Sequence, residues 1–274
     1  MAGVSTKEVR RRMRSMESTR QITRAMEMVA ASRLRKAQSR ITQSRPYFQL
    51  LYQTISRMAG VPSPYFSPKA EGKLCCIVIA GDRGMAGGYN SNVLRLARET
   101  LAGRPNCILP IGKKAVEHFR TEALLTERYT EAADISVGDC FTMAKQLANR
   151  YAAGEFAEIN LVYTNFASLL AQTPAVLPLL PLCMTRYAER EADVLYEPDP
   201  QAVLDAIIPE YLGGVIYGAL CESVASELAA RRTAMESATK NADEMLENLH
   251  LQYNRARQGA ITQEITEIVA GAEA

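Results

Sequence analysis

The chain has 274 residues, of which 47% are apolar and 23% charged, and its formal net charge is +2. That composition excludes disorder as the main state, and 16 Gly with 12 Pro exclude collagen-like or low-complexity sequence. The charge is unevenly spread, with +10 on residues 1–60, −2 on 61–204 and −6 on 205–274. Ends of opposite sign suit ends that lie together.

Residues 1–60 read as long helix. Leu34, Ala37, Ile41, Ser44, Phe48, Leu51, Ile55 and Met58 recur in steps of three and four. Upstream, Val9, Met13, Met16, Thr19, Ile22, Met26 and Val29 form a second stripe, out of register with the first by a step of five. The buried face is therefore expected to shift along the helix. Ser5 or Thr6 can cap its start with Glu8 in the first turn, and Pro46 argues against an unbroken helix. Gly60 to Gly72, with Pro62, Pro64 and Pro68, is loop chemistry.

The middle alternates strand and helix signals. Strands are expected at 74–80, 107–111 and 159–164, and helices at 89–101, 113–119 and 137–151. Asn90 or Ser91 is the expected cap of the first of these helices. Such alternation implies a mostly parallel sheet with helices on its faces. The longest apolar stretch, Leu169 to Met184, is broken by Pro174, Pro178 and Pro181 and falls short of a ~20-residue membrane span. With no signal-like N-terminus either, the chain is expected not to cross a membrane by itself.

After Pro209 no proline follows for 65 residues. Cys221, Val224, Leu228, Arg231, Met235, Ala238, Ala242, Met245, Leu249, Gln252 and Ala256 alternate three and four, and the two polar members are too few to break a coiled-coil seam. A helix of that length runs ~95 Å, and the basic N-terminal helix is its simplest partner. The expected architecture is α/β: a long antiparallel coiled coil of N- and C-terminal helices with an inserted Rossmann-like domain. Its boundaries are expected at 1–60, 73–195 and 203–274.

Catalytic signatures are sparse. The Gly-rich run Gly81-Asp82-Arg83-Gly84-Met85-Ala86-Gly87-Gly88-Tyr89-Asn90 lies between a strand and a helix, where phosphate can bind, but it matches neither G-x-G-x-x-G nor G-x-x-x-x-G-K-[ST]. It reads as a tight turn, and Asp82–Arg83 as a turn ion pair. His118 and His250, the only histidines, have no metal-ligand spacing, so no metal site or cofactor is expected. Cys75, Cys76, Cys107, Cys140, Cys183 and Cys221 contain no C-x-x-C and read as free, buried thiols; Cys75 has no visible base to make it a nucleophile. The basic arm suits a solvated face, an acidic protein surface or nucleic acid. The residues alone thus support a mechanical or scaffolding part. A coiled-coil scaffold with a nucleic-acid-binding arm, or a nucleotide enzyme built on the sheet domain, stay open as alternatives.

Three segments carry a family resemblance. Gln21-Ile22-Thr23-Arg24-Ala25-Met26-Glu27-Met28-Val29-Ala30-Ala31-Ser32 resembles the N-terminal signature of the gamma subunits of F-type ATP synthases, and the loop from Gly81 to Asn90 resembles the loop after that family's first strand. The run from Asn254 to Ala272 resembles its C-terminal signature, and Arg231 to Met235 with Ala238 to Asn241 fit as well. The resemblance implies a non-catalytic central shaft of bacterial type at the cytoplasmic face of the plasma membrane. One copy would serve a ring of three alpha and three beta subunits, with the sheet domain against the epsilon subunit and the c-ring. By motif position it implies that Met26 meets the beta subunits, and that Arg231, Arg257, Gln258, Thr262 and Glu264 make polar contacts with the ring. Ile265, Ile268 and Val269 would form an apolar bearing tip.

Overall fold

A computed structural model describes residues 6–58, 60–69, 71–183 and 195–272. In chain order the elements are α1 (Thr6–Arg57), β1 (Lys73–Ile79), α2 (Tyr89–Leu101), β2 (Asn106–Ile111), α3 (Lys113–His118), α4 (Val137–Ala152), β3 (Phe156–Phe166), β4 (Gln172–Leu180) and α5 (Pro200–Ala272), with a short 3-10 turn at Ala132–Asp134. The residues group into two compact units, 32–230 on one hand and 1–31 with 231–274 on the other. Both α1 and α5 run from one unit into the other.

In the unit 32–230 the sheet order is β2-β1-β3-β4. β1 is parallel to β2 and β3, with Cys75 opposite both Cys107 and Ile159, and β4 is antiparallel to β3. Leu74 through Ile79 are all buried because helices cover both faces of the sheet. Adjacent side chains point to opposite faces. Cys75, Ile77 and Ile79 therefore enter one core, with Ile55 of α1, Met58 just after it, α4, and Leu204, Ile208, Leu212 and Ile216 of α5. Cys76 and Val78 enter the other, with Val93 and Ala97 of α2 and Ala115 and Phe119 beyond β2.

Four local departures from the sequence reading have physical causes. The antiparallel β4 was masked by its prolines, which an edge strand tolerates; Pro174 faces Thr164 and Pro178 faces Asn160. Helix α1 runs unbroken through Pro46, and α5 starts at Pro200 and passes Pro209, giving 73 residues and ~110 Å. α2 starts from Gly88 with no side-chain cap, because Asn90 is committed backwards, accepting from Gly81 N–H at 2.8 Å and donating to Arg83 C=O at 3.2 Å. Cys183 is exposed, while the other five thiols are buried and free as expected. The expected Ser5 cap and much of the stretch before 195 lie outside the described residues. The α4 start is a capping box, in which Ser136 Oγ accepts from Asp139 N–H and Asp139 returns a bond to the Ser136 N–H. Gly112, ahead of α3, has φ +90°, and a Cβ there would lie 2.1 Å from the Ala80 oxygen, so only glycine fits.

The second unit pairs the start of α1 with the second part of α5. Arg10 bonds Tyr253, Arg20 bonds Asp243 at 3.2 Å and Thr23 bonds Thr239 at 2.8 Å. Rising numbers on one helix meet falling numbers on the other, so the pair is antiparallel. Its seam differs from the strict heptad. Met235 and Ala242 are buried as expected, but the next buried residue is Leu246, at 9% exposure, whereas Met245 is 53% exposed. One extra step of four relaxes the repeat from the 3.5 residues of a supercoil toward that of a straight helix. On α1 the two expected stripes merge into one through Val9, Met13, Met16, Arg20, Thr23, Ala30 and Leu34. Thr23 is 8% exposed, whereas Ile22 and Val29, expected inside, are 57% and 53% exposed. The paired threonines let a polar residue hold the seam, and the neighbouring apolar residues face out.

Candidate partner-binding surface

The contact residues implied by the resemblance all lie in the unit of 1–31 with 231–274. Met26 is half-buried on α1, beside the outward-facing Ile22, Met28 and Val29. Arg231 is half-buried on α5, while Arg257, Gln258, Thr262 and Glu264 are exposed. From Arg257 to Ala272 every residue is exposed. The hydroxyls of Thr262 and Thr266 donate back to the carbonyls of Gln258 and Thr262 at 3.0 and 2.8 Å, and Gln263 bonds Glu267 at 2.9 Å, so these polar groups are turned onto the helix itself.

Ile261, Ile265, Ile268 and Val269 are 46%, 56%, 72% and 53% exposed. Their spacing of four, three and one puts them on one face. A contiguous apolar stripe on a helix end that none of the described residues covers marks a candidate interaction surface. Ile261, one turn before Ile265, extends the three residues expected at the tip. Ile22 and Val29 face out although their helical spacing reads as a core stripe, and Met28, near Met26, is exposed with them.

The glycine-rich loop of the other unit is tied down at several points. Asp82 Oδ1 accepts from Lys113 N–H at 3.2 Å and Ala132 N–H at 3.0 Å, so it serves as a backbone acceptor. Glu227 of α5, 7% exposed, presses on the loop: a Cβ added to Gly81 would lie 2.6 Å from its Oε1. A carboxylate therefore sits where a bound phosphate would need positive potential.

The other reactive groups are quiet. Burial pushes the Cys76 and Cys140 thiols up to about 12, and the hydrogen bond with Cys107 together with burial raises Cys75 well above its ordinary value. None of these three is a thiolate nucleophile at neutral pH. His118 accepts from Arg98 Nε at 2.7 Å, and burial followed by the Arg98 charge lowers its pKa. Among the described residues no cluster of His, Cys, Asp and Glu has metal-binding geometry. One described helix, α5, includes a stretch apolar enough to span a membrane by composition; 44% of that stretch is buried inside the protein.

Comparison with known proteins gives these features a family. Long terminal helices around an inserted sheet are the fold of ATP synthase central-stalk chains. A chain of the Euglena gracilis mitochondrial ATP synthase rotor superposes with a TM-score of 0.66 at 18% identity, covering 93% of this chain and 98% of that one. A chain of the Tetrahymena thermophila mitochondrial ATP synthase central stalk and c-ring gives 0.59 at 25% identity, covering 79% and 99%. The sequence model of a family described as ATP synthase matches residues 5–274. The ATP synthase gamma chain of Ruminococcus albus is 46% identical over 273 residues, covering 96% of each chain. That of Moorella thermoacetica is 43% identical over 276 residues, covering 98% of each. The chain belongs to the ATP synthase gamma chain family.

Proposed function

We propose that this chain is the non-catalytic central-stalk rotor of an ATP synthase, coupling ion flow through a membrane sector to ATP synthesis or hydrolysis in a ring of alpha and beta subunits. Family membership supports the complex. The exposed apolar stripe at Ile261, Ile265, Ile268 and Val269 is the observation that carries the mechanical role. A shaft that turns cannot be bound strongly at one angle, and a helix end of modest apolar side chains, whose polar groups bond to their own helix, offers contact without fixed directional bonds.

In this reading Ile265, Ile268 and Val269 form the bearing tip, and Arg231, Arg257, Gln258, Thr262 and Glu264 make the polar contacts with the ring. Met26 meets the moving part of the beta subunits, and the outward Ile22, Met28 and Val29 widen that contact. The sheet unit faces the epsilon subunit and the c-ring at the cytoplasmic face of a bacterial membrane. The helix pair has two different sequences and no rotational symmetry, so it touches identical beta subunits differently. A ligand or partner shifts a conformational equilibrium only by its differential affinity for the states. Unequal contacts thus hold the sites in unequal nucleotide affinities, and rotation exchanges them.

Exposed Cys183 is a natural attachment point, since the other thiols are buried. A bead fixed there, with the ring held on a surface, is expected to rotate in one direction when ATP is added. A bead that stays fixed while the complex hydrolyses ATP would refute the rotor reading.

A further inference from the structure

In a twisted sheet of this kind, ligands bind outside the carboxyl ends of the strands where the strand order reverses. Here β2 lies on one side of β1 and β3 on the other, so that crevice opens beyond Ile79 of β1 and Val162 of β3. The last β1–β3 pair is Val78 with Val162, and Thr164 of β3 extends past it. Pro174, the β4 residue opposite Thr164, has no N–H to give.

Helix α5 fills this place. Thr164 N–H donates to Ser223 Oγ at 3.1 Å, and Ser226 Oγ donates to Thr164 C=O at 3.3 Å. Ser223 and Ser226 are both fully buried, so neither hydroxyl is a chance surface contact. One turn on, Glu227 lies against Gly81 at the end of β1, near enough that any side chain at 81 would collide with it. Tyr89, first residue of α2 and buried, closes the other wall. Two serine hydroxyls thus continue the hydrogen bonding of β3 after β1 ends, and a carboxylate occupies the position over the glycine loop.

We infer that Ser223, Ser226 and Glu227 form a built-in latch, in which α5 is the permanent occupant of the ligand crevice and is held there against twisting relative to the sheet. Apolar packing resists separation but tolerates sliding and rotation, because it has little directionality. The directional bonds of this latch sit where α5 leaves the sheet, since the unit ends at residue 230. Torque applied to the sheet unit therefore enters the helix through these three residues. They are positioning residues, and this assignment rests on the rotor reading.

The test uses Ser223→Ala/Ser226→Ala in the full chain and in the reconstituted membrane-bound complex. Losing two buried hydrogen bonds is expected to speed hydrogen exchange of the Thr164 amide about tenfold in the isolated chain. In the complex, ATP hydrolysis is expected to stay near wild type while protons or sodium ions pumped per ATP hydrolysed fall severalfold. Ser226→Ala alone removes only the hydroxyl on Thr164 C=O; it guards against a double variant that fails to fold, and should move both readouts the same way but less. Ser226→Thr, which keeps a hydroxyl, should restore pumping relative to Ser226→Ala. Unchanged exchange would overturn the latch, and faster exchange with an unchanged pumping ratio would overturn its role in transmission. If the wild-type chain itself gave hydrolysis without pumping in the complex, the rotor reading would fail instead.

Discussion

Leu246 and Met245 decide the register of the helix pair. Leu246 is 9% exposed and Met245 53%, although the heptad read from sequence puts Met245 inside. Leu246→Ala removes buried carbons for which cores lose about 2–5 kcal/mol. A two-helix seam collapses more readily than a core, so the low end, ~2 kcal/mol, is expected. Met245→Ala takes away a side chain already half in water and should stay within about 0.5 kcal/mol. At about 4–8 °C per kcal/mol for a unit of this size, Leu246→Ala lowers its transition by ~8–16 °C and Met245→Ala scarcely moves it. Thermal unfolding followed by circular dichroism measures the shift, and hydrogen exchange over residues 231–256 assigns the transition to this unit. Equal losses, or a greater loss for Met245→Ala, would refute the slipped register and restore the strict heptad.

Replacing Ile265 and Ile268 by Ser should leave the thermal stability of the isolated chain unchanged while weakening its assembly with alpha and beta subunits, as native gel titration would report; a destabilised free chain would mean that the stripe is covered within the protein. The isolated chain should not bind Mg-ATP, given Glu227 over the glycine loop; micromolar binding by calorimetry would contradict this. Side-chain and backbone hydrogen bonds from Ser136 hold the Asp139 carboxyl below its ordinary value. A depressed carboxylate adds stability that is present above its ordinary value and lost as pH falls through the lowered one. Asp139→Asn should therefore flatten the acid limb of urea-unfolding midpoints over that range, and an unchanged limb would show that the cap does not titrate with folding.

The α/β unit was legible because its signals are local. The apolar run at Leu74–Ala80 and the periodicity of Val137–Tyr151 each demand one element, and buried strands with intervening helices admit few arrangements. β4 escaped because Pro174 and Pro178 argue against a strand unless its edge position is known, and edge position is a tertiary fact. Along the helix pair, apolarity was a poor guide to the inside. Thr23 reaches the seam because Thr239 meets it, and a reading of either helix alone counts both as outward. Ile22 and Val29 belong to the opposite category, apolar residues that face out. The latch was invisible for a similar reason. Ser223, Ser226 and Glu227 are unremarkable in a helix, and they acquire meaning only when the strand order places the end of β1 beside them.

Stoichiometry tests the central claim most directly. Two helices of unlike sequence and charge form one asymmetric pair, and a second copy would remove the asymmetry that makes identical sites differ. This sets the chain apart from the symmetric, equal-copy assemblies that dominate soluble oligomers. Native mass spectrometry of the purified complex reads the ratio without further assumption. The account predicts one copy of this chain for each ring of three alpha and three beta subunits; three or six copies per ring would contradict a central shaft.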